Sequence, residues 1–170
     1  MLDLGKNDIS LFVETAGKCG QLGSLGDILS ICKAVPCVFP CVDFGHVHAR
    51  TRGNLETQEG IDSVFAELSV NGYLGGQGRV HFHYTPIAFG PRGELSHKAI
   101  HDRIPESSQL DLPTLGLLDK SRGDSFYHPR YEAVACALRQ YKPDCTVISE
   151  TNNSQEEGAQ MLRAAFLSKE

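Results

Sequence analysis

Carboxylate and imidazole side chains close four short apolar segments of this chain. These side chains belong to Glu14, Asp43, His83 and Glu150, and His46 follows Asp43 by three residues. Where strands alternate with helices, ligands and reactive groups collect beyond the carboxyl ends of the strands. Carboxylates and imidazoles together suit zinc or manganese. We therefore predict that these five residues form a metal site at one rim of a sheet.

Each of these residues also has an ordinary structural explanation. A carboxylate at a strand end often caps the helix or loop that follows it, and this applies equally to Glu14, Asp43 and Glu150 taken singly. Taken together, the five residues favour metal binding. His46 and His48 lie in one short segment, and only one of them needs to be a ligand.

Apolar runs and helical-period segments alternate along the chain, which predicts parallel strands joined by right-handed crossovers with the helices on one face. The strands are predicted at about 9–14, 37–43, 79–84 and 145–150. Helix starts are predicted at Ser24, at Thr57, at Pro129 and at the capping box Ser154-x-x-Glu157. Residues 85–127 form one long connection, and loops of that length are usually functional or partly disordered.

Composition sets the class of protein. The 170 residues fit one domain, and 41% hydrophobic residues are enough for a core. A net charge of −5 excludes a uniformly basic nucleic-acid-binding surface but allows a local basic rim. No run approaches the roughly 18–20 apolar residues of a membrane span, and no signal peptide is recognisable, so we predict a cytoplasmic protein with reduced cysteines. Cys19 is predicted to be exposed near the rim.

Several motifs resemble the endonuclease IV family, which belongs to the xylose isomerase-like superfamily of (β/α)₈ barrels. Phe12-Val-Glu-Thr-Ala-Gly-Lys18 resembles its fifth-strand segment, and residues 41–48, with Asp and His three apart, resemble its sixth-strand motif. Residues 80–83 resemble its seventh-strand histidine and residues 148–150 its eighth-strand glutamate. The resemblance implies an α/β fold in which residues 1–170 are the carboxyl-terminal half of a TIM barrel, about four βα units, strands five to eight.

The family binds a cluster of divalent metals, typically three zinc ions. The resemblance implies that Glu14 bridges two metals, that Asp43 and His46 are terminal ligands, and that His83 and Glu150 complete the visible part of the cluster. Two histidines that the family supplies from its second and third strands have no counterpart. A complete three-metal site is therefore not expected.

His97 matches the histidine of the family's Asp-x-His motif, which makes it a further candidate ligand. The aspartate of that motif is replaced by Leu95, and Glu94 is shifted by one position, so it is expected to substitute only if the loop rearranges. Nearby basic residues are candidate phosphate ligands or ordinary surface charges. They are Lys18, Arg50 and Arg52.

Three functions remain open. The first is metal-dependent hydrolysis of abasic-site DNA. The second is a sugar or sugar-phosphate isomerase or epimerase with one Mn²⁺ or Mg²⁺ ion, in which Glu14 and Glu150 act as catalytic acid–base groups beside Asp43 and His83. The third is a non-catalytic remnant.

The half-barrel also predicts a partner. We expect either a missing amino-terminal half-barrel or a homodimer, because open sheet edges and an apolar interior face favour association. The interior face is predicted to expose four apolar side chains. They are Val13, Val42, Phe82 and Ile148.

Overall fold

The computed structural model describes residues 9–75, 78–105 and 126–168. Its main element is a parallel four-stranded sheet with the spatial order β1-β2-β3-β6. The strands are β1 (Leu11–Glu14), β2 (Val38–Asp43), β3 (Val80–Tyr84) and β6 (Cys145–Ser149). All four predicted strands are thus confirmed within a few residues, and the fold is a mixed α/β fold with its strands in chain order.

The register of the sheet decides which side chains share a face. Glu14 lies beside Cys41, and Asp43 lies beside His83. Because side chains alternate along a strand, these four residues project from the same face. Parallel pairing also brings the carboxyl ends of all four strands to one edge of the sheet, which we call the rim.

Among the described residues, five α-helices and a short 3-10 helix at Asn54–Glu56 accompany the sheet. The α-helices are α1 (Leu25–Ala34), α2 (Phe44–Arg50), α3 (Gln58–Val70), α4 (Tyr131–Tyr141) and α5 (Gln155–Leu167). Ser24 and Thr57 cap α1 and α3 as predicted, each accepting a backbone N–H bond three residues on. Pro129 instead precedes the N-cap of α4. The predicted capping box at Ser154 does not form, because the Ser154 hydroxyl accepts the Ile100 N–H and donates to the Asn152 carbonyl.

The helices bury one face of the sheet, and the core lies between the two layers. Val42 and Phe82 are fully buried there, and the Phe82 ring stacks on Phe44 at 5.1 Å. Our expectation that Val42 and Phe82 face an open interior is therefore wrong, and Val13 also packs on the helix side. The alternation placed Val13, Val42 and Phe82 on one face correctly, but the helices cover that face, and Ile148 does not share it. Ile148, 44% exposed, does lie on the other face.

A short helix and a β-hairpin were not predicted. Helix α2 starts directly at the end of β2, and an antiparallel hairpin of β4 (Ile87–Gly90) and β5 (Gly93–His97) occupies the start of the long connection. The hairpin is irregular: Ala88 pairs with Ser96 and Phe89 with Glu94, so Leu95 is an extra, bulged residue. Residues 106–125 of the expected loop lie outside the described residues. Among the helices that are described, none is long and apolar enough to cross a membrane.

Candidate metal centre

The rim brings four of the predicted ligands together. Glu14, Asp43, His83 and Glu150 each offer one ligand atom, and these atoms all lie within 4.8 Å of one another; we call them the first ligand group. His83 Nδ1 lies 3.0 Å from Glu14 Oε1 and 3.1 Å from Glu150 Oε1. Ligand atoms around a tetrahedral zinc ion with bonds of about 2.0–2.1 Å lie about 3.3–3.4 Å apart. The spacing is therefore close to that of a coordination shell.

Asp43 has one oxygen that its capping role does not use. Oδ1 accepts the His46 N–H at 2.8 Å and caps α2. Oδ2 is buried and has no hydrogen-bond partner, and the residue is 0% exposed. Burial raises the pKa of this carboxyl although the nearby His46 opposes the rise. A buried carboxylate oxygen without a partner is costly, so Oδ2 is suited to a cation. The capping role therefore accounts for Oδ1 but not for the burial of Oδ2.

A second ligand group adjoins the first and shares Asp43 with it; its other members are His46 and His97. The Nδ1 atom of His46 lies 2.8 Å from the Thr15 carbonyl oxygen, and that of His97 lies 3.3 Å from the Glu150 carbonyl oxygen. A carbonyl can only accept, so each ring carries its proton on Nδ1 and presents a lone pair at Nε2. The two Nε2 atoms are 3.3 Å apart.

The negative surroundings of His46 fit a shared cation. Burial alone would lower the pKa of His46, but Asp43, the Thr15 carbonyl, Glu94 and Glu14 outweigh it and raise the pKa. Two imidazole lone pairs that face each other need a positive charge between them, either a proton or a metal ion. A metal ion bound to both Nε2 atoms meets this need.

Thr15 is a supporting residue that the sequence reasoning missed. Its hydroxyl accepts the Asp43 N–H at 3.0 Å, and its carbonyl orients the His46 ring. Hydrogen bonds of this kind fix the tautomer and direction of a metal-binding histidine. Its position immediately after Glu14 was the one available signal.

Glu94 lies beside the second ligand group without any rearrangement of its loop. Its Oε2 is 3.6 Å from His46 Nε2, and its Oε1 is 3.7 Å from His97 Nε2. Leu95, the next residue along the chain, is 71% exposed. Glu94 therefore lies near both histidines without the loop rearrangement that we expected its substitution for the aspartate to need.

Two neighbours of the candidate ligands are uncharged. Burial, followed by the negative charges of Glu14, Asp43 and Glu150, raises the pKa of Cys41 to about 12, so the thiol stays protonated. Burial, with His128 adding to it, lowers the pKa of His48 to about 3. His48 packs edge-on against Phe89.

The three candidate phosphate ligands differ in how free they are. Arg50 donates to three carbonyls of the β1–α1 loop and pairs with Asp27 at 3.9 Å. The carbonyls are those of Ala16, Lys18 and Gln21. Arg52 makes one long bond, 3.5 Å, to the Pro91 carbonyl, and the Lys18 residue is exposed. Arg50 is thus engaged in holding the loop, whereas Lys18 and Arg52 keep donors for a ligand.

Comparison with known proteins adds little about function. No protein family model matches the chain. An uncharacterized protein of Methanocaldococcus jannaschii is 29% identical over 97 residues, which are 56% of this chain and 34% of that protein. The similarity therefore spans about a third of the relative's length.

Proposed function

We propose that the described sheet is one half of a (β/α)₈ barrel, corresponding to strands five to eight. The strand order follows the chain without reversal, and the helices cover one face. A doubly wound sheet reverses its order and carries helices on both faces, whereas a barrel does neither. Among the described strands, the outer edges of β1 and β6 have no partner, as expected of an opened barrel.

The same rim is proposed to bind at least two divalent cations, with zinc preferred for its carboxylate and imidazole ligands. The observation that carries this proposal is that two adjoining ligand groups share Asp43, whose buried Oδ2 has no hydrogen-bond partner. The first ion would be held by Glu14, Asp43, His83 and Glu150, and the second by Asp43, His46 and His97.

The reaction class that this centre supports best is phosphodiester hydrolysis. Bound divalent ions supply Lewis acidity and lower the pKa of water toward about 7. The chain's own contribution is orientation, since Thr15 and the Glu150 carbonyl fix the directions of His46 and His97. Abasic-site DNA as the substrate follows from the resemblance to endonuclease IV. Exposed Lys18 and Arg52 are the candidate contacts to phosphate.

A single-metal sugar isomerase or epimerase is the second candidate. One observation favours it: the first ligand group alone supplies four ligands, three carboxylates and one imidazole. In that reaction Glu14 and Glu150 would be the acid–base groups, and both lie within 3.1 Å of His83 Nδ1. The ion would then be Mn²⁺ or Mg²⁺, and the second ligand group would bind none.

Metal stoichiometry separates the two proposals. The purified chain should be stripped with a chelator, reloaded with Zn²⁺, Mn²⁺ or Mg²⁺, dialysed and analysed by mass spectrometry for metal content. About two zinc ions per chain support the hydrolase, one Mn²⁺ or Mg²⁺ supports the isomerase, and none contradicts both. Cleavage of an abasic-site oligonucleotide should be assayed on the same samples. Cleavage by the isolated chain should be weak, since the family's second- and third-strand histidines have no counterpart here.

A further inference from the structure

A carboxylate that the family pattern does not assign completes a triangle with the two facing histidines. The His46 Nε2 and His97 Nε2 atoms are 3.3 Å apart, and the Glu94 carboxylate oxygens lie 3.6 and 3.7 Å from them. The edges of a tetrahedral zinc site are about 3.3–3.4 Å long. A small movement of the Glu94 side chain would therefore place one oxygen and both nitrogens around one ion.

The bulge in the hairpin explains why a residue at this position reaches the site. In a regular strand, residues two apart share a face, which suits an Asp-x-His pair. Glu94 and His97 are three apart, but Leu95 is an extra residue between the pairs Phe89–Glu94 and Ala88–Ser96. One bulged residue turns a spacing of three into the equivalent of two and re-aims the side chains around it. The carboxylate and the imidazole therefore converge.

A space free of side chains seats Glu94. A Cβ atom on Gly17 would lie 2.6 Å from Glu94 Oε2 and 2.7 Å from Glu94 Cβ. The backbone of the same segment also holds β5 in place, because the Glu94 N–H donates to the Gly17 carbonyl at 3.1 Å. Side chain and main chain together fix the Glu94 carboxylate against the β1–α1 loop, facing the histidines.

We propose that Glu94 is a metal ligand of the second ligand group and takes the place of the carboxylate that Leu95 cannot supply. The second ion would then be held by Glu94, His46 and His97, with Asp43 between the two ions. This inference rests on the proposed metal centre. It gives the second ion a fourth candidate ligand beside Asp43, His46 and His97.

The test is zinc binding by the Glu94→Gln variant, which keeps the shape of the side chain and removes its charge. Zinc content after dialysis should fall from about two ions to about one per chain, and the dissociation constant of the weaker ion should rise at least roughly 10- to 100-fold. Cobalt loaded in place of zinc should lose part of its visible absorption, which reports the coordination of the lost ion. None of these readouts depends on activity.

Glu157→Gln is the matched control. Glu157 also pairs with a histidine, His101, at 3.1 Å, but both side chains are more than half exposed. It should bind zinc as the unchanged chain does. Glu94→Asp is a second test, because it keeps the charge but shortens the side chain by one methylene group, and it should also lose zinc, since the Glu94 oxygens already lie 3.6 and 3.7 Å from the two histidine nitrogens. It also decides the matter if Glu94→Gln fails to fold.

The outcomes separate the inference from the proposal beneath it. If the unchanged chain binds two zinc ions and both variants do so with equal affinity, Glu94 is not a ligand and the proposed metal centre stands. If the unchanged chain binds only the ion of the first ligand group, the inference fails and the isomerase becomes the better proposal. If it binds no metal, both fail.

Discussion

His46 and His97 point their Nε2 atoms at each other across 3.3 Å, while a backbone carbonyl lies within hydrogen-bond distance of each Nδ1. The arrangement has a thermodynamic consequence, because two facing lone pairs repel each other until a cation lies between them. Asp43 has a buried oxygen without a hydrogen-bond partner, and a nearby cation would stabilise this oxygen too. The folded chain should therefore be more stable with a bound metal than without it.

We expect zinc to raise the melting temperature of the chain. A ligand at 100 times its dissociation constant adds about 2.7 kcal/mol per site to the free energy of unfolding. For a chain of this size that corresponds to roughly 5–10 °C for each site. Asp43→Asn should remove most of this increment but keep the fold, since asparagine also caps helices. Thermal unfolding with zinc and with a chelator measures both quantities.

The Asp43→Asn result has a clear counter-outcome. If the variant retains the full zinc-dependent shift, Asp43 does not bind the ion and the shared-ligand arrangement is wrong. A variant that is already unfolded in chelator would instead show that the cap at Asp43 Oδ1, worth about 1 kcal/mol, is not preserved by the amide.

His83→Ala should lower metal occupancy at the first ligand group. The His83 ring stands between Glu14 and Glu150, at 3.0 and 3.1 Å, so its loss removes the one imidazole of the group and leaves carboxylates that repel each other. His101→Ala is the control, because that histidine is exposed and pairs only with Glu157 among the ion pairs described. Metal analysis after dialysis should show fewer ions in the first variant alone. Equal occupancy in both would exclude His83 as a ligand.

Arg50→Ala should destabilise the chain, and Arg52→Ala should not. The Arg50 guanidinium holds the β1–α1 loop through three carbonyls, and hydrogen bonds from charged donors are worth more than neutral ones, so we expect a loss of about 1–2 kcal/mol in the free energy of unfolding. Arg52 makes one bond at 3.5 Å and should cost less than about 0.5 kcal/mol. Urea unfolding compares the two.

If Arg52→Ala proves less stable than Arg50→Ala, the two arginines have the opposite roles. If Arg50→Ala is as stable as the unchanged chain and weakens phosphate or DNA binding, Arg50 is a ligand residue rather than a loop anchor. Under our interpretation, Arg52→Ala carries the binding defect and Arg50→Ala the stability defect.

The positions of the first ligand group were predictable because they depend on two robust features. Apolar runs locate strands, and parallel pairing brings all their carboxyl ends to one rim. The bulge at Leu95 was not predictable, because the offset arises from pairing with Ala88 and Phe89 rather than from the type of residue at 95. The position of Glu94 was misjudged for the same reason.

The structure differs from the sequence-based prediction in two further respects, the presence of helix α2 and the face of the sheet that the helices cover. Helix α2 has only seven residues and no sustained apolar period, and it forms because Asp43 caps it and Phe44 and Val47 are buried beneath it. The period of two placed Val42 and Phe82 on one face correctly. A period of two does not determine which face of the sheet the helices cover, because tertiary packing decides which face is buried.

Thiol reactivity should differ sharply among the cysteines. Burial raises the pKa of Cys145 to about 11 and that of Cys41 to about 12, so at pH 8 both remain almost fully thiols, and the thiolate is the reactive form. Cys19 is exposed. Brief alkylation of the native chain followed by peptide mapping should label Cys19 first and leave Cys41 and Cys145 unlabelled. Early labelling of Cys41 would contradict its burial at the floor of the metal centre.

The last prediction concerns the face of the sheet that the described helices leave open. Ile148 is 44% exposed there, and Phe12 and Phe39 on the same face are only half-buried. The outer edges of β1 and β6 are unpaired among the described strands, and open edges beside an apolar face favour association. We expect the isolated chain to pair with a second copy, edge to edge, and to sediment as a dimer.

Ile148→Lys should shift the chain toward the monomer, because it places a charge on the open face at little cost to the monomer's own core. Val70→Lys is the matched control: Val70 is 88% exposed at the end of α3, away from the sheet face, and its substitution should leave the dimer intact. In a symmetric dimer each centre gains a second copy of the same ligands and not the family's second- and third-strand histidines, so abasic-site cleavage should stay weak with zinc supplied. Sedimentation velocity and the cleavage assay test this together, and a well-folded monomer that cleaves efficiently would overturn the half-barrel proposal.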